Sequence, residues 1–433
     1  MLRPYRLGVL MKWCFLKFVG GFLLCLFLVA EASAAFRISP QLLVRQEYND
    51  NIELSSDDKI SDFITTIMPG VRLTWETRPA TLSLDYNLRF RFYLEHDERN
   101  ETSLRQTQRI DLGSTFRIYR NMLFLSVSNV YERVTIDEGD RSGIDSDLVN
   151  LTDSNRLRVN PYFILEPTST LTFRTDYVYE NVWYDSDRGI DHERHTGRMT
   201  LTKEISPRVQ ASLSGSHSLY RPDATALAGA PGADQEFDRT DARASLVWTP
   251  TNRLTFDTFY GRGWVDYTER PSQTLDLFGG GVRYLLGPEK VVGARYDETT
   301  SFSVRDGLIE SKNYVAFIEF TPRVTSRWSV FYRESDYLIQ DRSDDSRGVS
   351  VAGEWPWTNR MGLSYLIRFT RYDRSGPGEF QETYDRYGTR LGLYRDMRIG
   401  RFHLGHTWNK NDSDFPANDY TNNIVWAEMR FVF

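Results

Sequence analysis

Arginine is the residue type through which this chain could do most of its chemistry. Of the 53 basic residues only seven are lysine (Lys12, Lys17, Lys59, Lys203, Lys290, Lys312 and Lys410), which leaves 46 arginines. The guanidinium is a planar fork of donors that pairs with carboxylates and phosphates. Many of these arginines fall on the polar parity of segments whose alternate residues are apolar, and side chains two apart share one face of a strand. The candidates for such a face are Arg89, Arg91, Arg109, Arg117, Arg156, Arg158, Arg174, Arg243, Arg295, Arg368 and Arg390, with Arg198, Arg283, Arg333 and Arg430 on the same parity. One reading is a surface that conducts or guides anions. The other is internal pairing, because Asp85, Asp111, Asp176, Asp257, Asp297 and Glu428 share that parity.

Other reactive residues are sparse. The histidines are His96, His192, His195, His217, His403 and His406. Within each close pair the spacing is three, which in a strand puts the rings on opposite faces and makes no local metal site. His217 lies between Ser216 and Ser218, but immediate neighbours also point apart, so no nucleophile and base are placed together locally. Asp185, Asp187, Gly189 and Asp191 alternate like a calcium loop but lack its twelfth-position glutamate, and a solvated turn is the simpler reading. No catalytic residues, metal site or cofactor are expected.

The elements that carry the arginines are read from a metre. Between residues 77 and 400 the chain returns every 34 to 48 residues to a short polar turn, and seven of nine turns hold a proline: Pro79, Pro167, Pro207, Pro250, Pro288, Pro322 and Pro356. One such period fits a hairpin of two strands of about ten residues, a tight turn and a longer loop, the unit of outer-membrane barrels. The segment TLSLDYNLRFRFYLE from Thr81 to Glu95 shows why the period is β. Leu82, Leu84, Tyr86, Leu88, Phe90, Phe92 and Leu94 occupy one parity and charged or polar side chains the other, a pattern no helical face can collect.

Composition separates a membrane barrel from a soluble sheet. In a chain of 433 residues the hydrophobic fraction is 40% and the aromatic fraction 14%. A barrel with a wet interior needs an apolar outer band but no dry core, which accounts for both values. No linker or composition shift divides the chain. The expected organisation is a signal peptide over 1–34 and a single barrel over 35–433. Arg3, Arg6, Lys12 and Lys17 precede an apolar run from Phe18 to Ala30, and Ala32-Ser33-Ala34 has the small-x-small form of a cleavage site. Both cysteines, Cys14 and Cys25, fall in that segment, so thiol chemistry is not expected of the mature chain. Removing 1–34 takes away four basic residues and Glu31, leaving 49 basic against 58 acidic residues, a charge of −9.

Counting outward from the turns gives strands near 38–48, 62–76, 81–95, 104–118, 122–134, 155–165, 170–183, 194–204, 208–220, 237–249, 253–265, 275–286, 290–298, 312–321, 327–335, 347–355, 360–371, 384–394, 400–409 and 422–433. The fold class is therefore all-β: a transmembrane antiparallel up-and-down barrel of about twenty strands, eighteen being the alternative, with turns and termini in the periplasm. Pro69 and Pro161 mark bulges or a miscount, since proline cannot donate to a ladder. Trp75, Trp248, Trp328, Trp355 and Trp357 lie beside the turns and Trp183, Trp264 and Trp408 near the loops, which predicts two aromatic girdles; Trp426 fits neither. The acidic stretches DEGDRSGIDSD from 137, YDSDRGIDHE from 184, RPDATALAGAPGADQE from 221 and DRSDDS from 341 read as solvated loops, and the longest loop, 135 to 153, is a candidate to fold inward as a constriction.

The last strand, NNIVWAEMRFVF, ends on Phe431 and Phe433. A final amphipathic strand with a terminal phenylalanine resembles the signal by which the barrel assembly machinery recognises outer-membrane proteins. The stretch Ser39-Pro40 through Glu47-Tyr48-Asn49-Asp50-Asn51-Ile52 resembles the opening strand of the β-barrel porin 2 type, which includes outer-membrane proteins encoded with exopolysaccharide and exosortase systems. That resemblance implies a passive outer-membrane channel, a gate for a secreted polysaccharide, and transfers no catalytic residues. The partners it implies are outer-membrane lipid and lipopolysaccharide, the assembly machinery, a polysaccharide and a separate periplasmic export protein; no nucleic acid is expected. The alternative is a structural or adhesive barrel whose lumen is closed by its own ion pairs.

Overall fold

The computed structural model describes residues 35–137, 140–146, 148–186, 189–223, 236–304, 307–321, 324–338, 342–376 and 381–433. The expected signal peptide with both cysteines, Asp187 of the calcium-like turn, Pro322 and most of the loop from 221 lie outside the described residues. Twenty strands form one antiparallel sheet: β1 (Ala35–Asn49), β2 (Asp62–Glu76), β3 (Ala80–Leu88, resuming as Phe90–Tyr93), β4 (Gln108–Tyr119), β5 (Leu123–Thr135), β6 (Leu151–Thr168), β7 (Leu171–Tyr184), β8 (His192–Ser206), β9 (Val209–Pro222), β10 (Phe237–Thr251), β11 (Leu254–Tyr267), β12 (Gln273–Gly287), β13 (Lys290–Ser303), β14 (Gly307–Phe320), β15 (Thr325–Tyr337), β16 (Arg342–Thr358), β17 (Met361–Ser375), β18 (Glu382–Met397), β19 (Gly400–Ser413) and β20 (Tyr420–Val432). Each strand pairs with the next, and β1 pairs with β20 from Gln41↔Val432 to Asn49↔Ile424, so the sheet closes on itself.

The period-two alternation turns the ring into two surfaces. Ile38, Met199, Leu213, Tyr260, Val330 and Val425 stand 52–61% exposed on the outward parity. With no dry core behind it, an apolar surface of this kind is stable only against acyl chains. Aromatic residues mark both edges of that band. Tyr296, Tyr314 and Tyr332 form a row towards the loops, with ring centroids 4.5 and 5.7 Å apart, while Trp248, Trp328, Trp355 and Trp357 are exposed near the turns. Trp75 instead packs on Ala80 and Leu82, 9% exposed.

Register accounts for the proline positions. Shifts occur at Arg117/Tyr119, Leu165/Thr168, Val209/Gln210, Trp248/Thr251, Leu285/Gly287 and Pro356/Thr358, each beside a short turn. Pro69 and Pro161, expected to mark bulges, shift nothing: Pro69 pairs with Leu42 and Pro161 with Leu125 in unbroken register. Each proline leaves a gap in the ladder on its other side. The β2–β3 pairing skips from Gly70↔Asn87 to Ile67↔Phe90, and the β6–β7 pairing from Val159↔Tyr179 to Tyr162↔Asp176. The missing N–H faces that neighbour, so the bond is lost without an inserted residue. At Arg89, where β3 is interrupted, the amide instead donates to the Thr107 carbonyl at 2.7 Å. The count is twenty rather than eighteen. Boundaries also differ: the strands expected near 290–298, 312–321 and 347–355 run Lys290–Ser303, Gly307–Phe320 and Arg342–Thr358, and Leu104–Thr107, expected as strand, is a helical turn capped by Ser103, whose side chain accepts from the Gln106 amide.

Candidate functional site

The inward parity carries the candidate arginines. On β1 it holds Gln41, Leu43, Arg45, Glu47 and Asn49, and the register carries the same face round the ring to Asp85, Arg91, Arg158, Arg174, Arg198, Arg243, Arg283, Arg295, Arg368 and Arg390. Side-chain contacts divide these residues into two groups. Arg174 pairs with Asp176 at 2.6 Å, Arg295 with Asp257 and Asp297 at 2.9 and 3.2 Å, Arg390 with Asp145 at 3.3 Å and Arg91 with Glu47 at 3.7 Å. Arg109 reaches Asp153 at 3.3 Å at the loop end, where Arg133 shares that carboxylate at 3.2 Å. In contrast, Arg117, Arg156, Arg158, Arg198, Arg243, Arg283 and Arg368 are exposed, and among the described residues none has a carboxylate within 4.0 Å. The Arg243 guanidinium lies 3.5 Å from the centroid of the Phe259 ring, a cation–π contact that orients it.

The connection between β5 and β6 folds inward. Asp137 accepts from Arg342 on β16 at 3.0 Å and from Arg374 on β17 at 3.3 Å. β16 lies nine strands from β5 in one direction round the ring and eleven in the other. A contact between them cannot run along the wall and has to cross the interior. Arg386 on β18 donates to Ser142 Oγ at 2.8 Å and to the Asp140 carbonyl at 2.9 Å. Asn409 on β19 pairs with the Ile144 backbone in both directions, accepting at 2.9 Å and donating at 3.0 Å, and the Tyr420 hydroxyl donates to the Ser142 carbonyl. The inward constriction considered for this loop is therefore present over its described residues.

Over their described residues, the acidic stretches from 137, 184 and 341 are not solvated chain, and most of the stretch from 221 lies outside the described residues. Asp137 is 3% exposed, Arg342 2% and Asp344 8%, and Arg342 Nε donates to Asp344 at 2.8 Å. Buried charges of opposite sign arriving from a loop and from two distant strands satisfy one another, whereas either alone would be costly to desolvate. Tyr184, Ile190 and His192, in or beside the second stretch, are buried as well. Two apolar clusters add to the inner filling near the loops: Tyr220, Phe237, Val265, Tyr267, Leu275 and Leu308 on one side, and Ile52, Ile64 and Tyr93, with Leu148 against them, on the other.

Trp426, which fitted neither girdle, is 2% exposed on the inward face. The Arg45 and Arg390 guanidiniums lie 5.0 and 4.8 Å from its ring, and its indole N–H donates to Thr407 Oγ1 at 3.2 Å. Gly405 makes the room: a Cβ there would sit 2.4 Å from the indole and 2.5 Å from the Leu391 carbonyl. Arg45, Asp137, Asp145, Arg342, Arg374 and Arg386 were missed as site residues. Only the position of Trp426 on the polar parity of its strand hinted at an interior cluster. Phe431 and Phe433 stand on the outward face of the closing strand, their rings stacked with centroids 6.2 Å apart.

The closed ring, the outward apolar band between aromatic edges and the charged interior define a bacterial outer-membrane β-barrel. No family model matches the sequence, and no curated protein does. Solved structures share the fold. The chain is similar to a mutant of the ferric enterobactin receptor PfeA from Pseudomonas aeruginosa, at 9% identity and a TM-score of 0.51 over 92% of this chain and 80% of that one. It is similar to the apoprotein form of the FrpB iron transporter from Neisseria meningitidis, at 8% identity and 0.50 over 91% and 81%, and to the copper transporter OprC, at 9% and 0.50 over 92% and 80%. At such identities the likeness is one of fold.

Proposed function

We propose that this barrel is a porin-like outer-membrane channel that passes polar solutes with a preference for anions. The observation that carries the reading is the set of exposed inward arginines, Arg158, Arg198, Arg243, Arg283 and Arg368 among them, that among the described residues have no carboxylate within 4.0 Å. A guanidinium facing water and unneutralised attracts anions and repels cations at close range. Passage of an acidic exopolysaccharide, delivered by a separate periplasmic protein, is the finer form of the same reading, and the arginine wall suits the carboxylates of such a polymer. Insertion by the barrel assembly machinery would use the closing strand with Phe431 and Phe433.

Reconstitution in a planar bilayer tests the channel. A reversal potential of anion-selective sign in a salt gradient is expected, falling in magnitude at high ionic strength as the Debye length shrinks from about 10 Å at 0.1 M to about 3 Å at 1 M. A cation-selective pore would refute the role given to the arginine wall. A second reading, a structural or adhesive barrel with a closed lumen, is favoured by the segment that crosses the interior to Arg342 and Arg386. Absence of any conductance steps above background would leave that reading in place of the channel.

A further inference from the structure

We propose that the Asp145 carboxylate is a resident stand-in for a solute carboxylate, and that Arg45, Arg390 and Thr407 form the seat at which this channel recognises carboxylate-bearing solutes such as hexuronates. The proposal rests on the anion-channel reading and deepens it by naming the group recognised. Asp145 belongs to the crossing segment rather than to the wall. Its Oδ2 accepts from Thr407 Oγ1 at 2.7 Å, and its Oδ1 lies 3.3 Å from Arg390 Nη1 and 3.6 Å from Arg45 Nη1. Two guanidiniums and a hydroxyl converging on one carboxylate are the donors a bound solute carboxylate would need.

The seat is built by the wall and does not depend on Asp145 for its shape. Trp426 lies beneath both guanidiniums. Its indole N–H occupies a lone pair of the Thr407 oxygen at 3.2 Å, which leaves the hydroxyl proton free to point at the carboxylate. Arg45 is steadied independently by Glu47 at 2.6 Å and Glu428 at 4.0 Å. Among the described residues its Nη2 is buried without a hydrogen-bond partner, a donor that the resident carboxylate leaves unused and a differently placed carboxylate would take.

The occupant itself is held at a cost. Asp145 has φ +61°, the left-handed region that L side chains disfavour even though aspartate tolerates it better than most. A solute carboxylate can supply the same contacts without that backbone conformation. Competition between the two would make passage sensitive to the group it selects.

The test uses the full purified barrel in detergent, with D-glucuronate titrated calorimetrically against wild type, Asp145→Asn and Asp145→Ala. Folding of each variant is checked by its heat-modifiable migration. Vacating the seat is expected to tighten glucuronate binding about tenfold, the ratio equivalent to one charge-assisted hydrogen bond, with glucose unaffected. Adding Arg390→Gln to the Asp145→Asn background is expected to abolish the gain. No gain in either Asp145 variant, or an equal gain for glucose, overturns the seat; an equal gain for inorganic phosphate overturns its assignment to carboxylates. Bilayer conductance is read separately. A glucuronate gain without conductance supports the seat and removes the channel, whereas anion-selective conductance without a glucuronate gain does the reverse.

Discussion

Two groups of arginines on opposite arcs of the inner wall share one parity and are used in opposite ways. On the arc from β16 round to β1, Arg342, Arg374, Arg386, Arg390 and Arg45 are turned to the crossing segment, and Arg342 and Arg374 have side chains 0% and 6% exposed between Asp137 and Asp344. On the facing arc, where Arg174 and Arg295 are paired with aspartates of the wall, Arg158, Arg198, Arg243 and Arg283 are exposed and, among the described residues, have no carboxylate within 4.0 Å. The difference between these residues comes from whether a carboxylate lies within reach of each. A guanidinium that meets a carboxylate from another loop becomes structural, because desolvation makes separation of the pair expensive. One that meets only water keeps its field for a solute.

Substitution on the two arcs should break this comparison if it is wrong. Arg342→Ala strands Asp137 and Asp344 in a buried site with Arg374 as the remaining partner, and should destabilise the barrel by about 3–5 kcal/mol, read as a lower urea midpoint in lipid vesicles. It should also raise conductance, since the segment loses its far anchor. Gly405→Ala places a methyl against the indole and the Leu391 carbonyl; an overpacking cost of about 1–3 kcal/mol is expected in the same assay, together with loss of the ordered Trp426 contacts.

On the facing arc the joint change of Arg198, Arg243 and Arg283 to Gln should move stability by less than about 0.5 kcal/mol per site. The reversal potential, in contrast, should fall towards zero. A stability loss there as large as that of Arg342→Ala would mean that the two arcs do not differ. The smallest effect is expected at Pro161→Ala, which restores a donor beside a ladder gap: a change of about 1 kcal/mol or less that sharpens the assignment of gaps to missing N–H groups and leaves selectivity unaltered.

Much of the fold was legible in the residue order. The alternation from Thr81 to Glu95 set one parity outward, and the prolyl turns set the hairpins, because strand period and turn chemistry are local properties. The strand count therefore reached about twenty, and the parity of Arg174 or Arg243 could be assigned before any contact was known. The exceptions were also local in kind but weaker in signal. Leu104–Thr107 became a helical turn under a Ser103 cap, and Pro69 and Pro161 opened gaps where bulges were anticipated.

The site was legible only in half. Strand parity told which arginines share the inner face, since that follows from counting residues along a strand. It could not tell that Asp137 meets Arg342 across 205 positions of sequence, that Asp145 settles between Arg45 and Arg390, or that acidic residues such as Asp137 and Asp344 become buried rather than solvated. Those outcomes depend on closure of the ring, which brings distant loops into one interior and lets each charge find a partner or find water. The sequence by itself determined a membrane barrel with an arginine face, and the tertiary structure alone decided which of those arginines hold the molecule together and which stand exposed on the inner wall, because pairing depends on contacts that only ring closure creates.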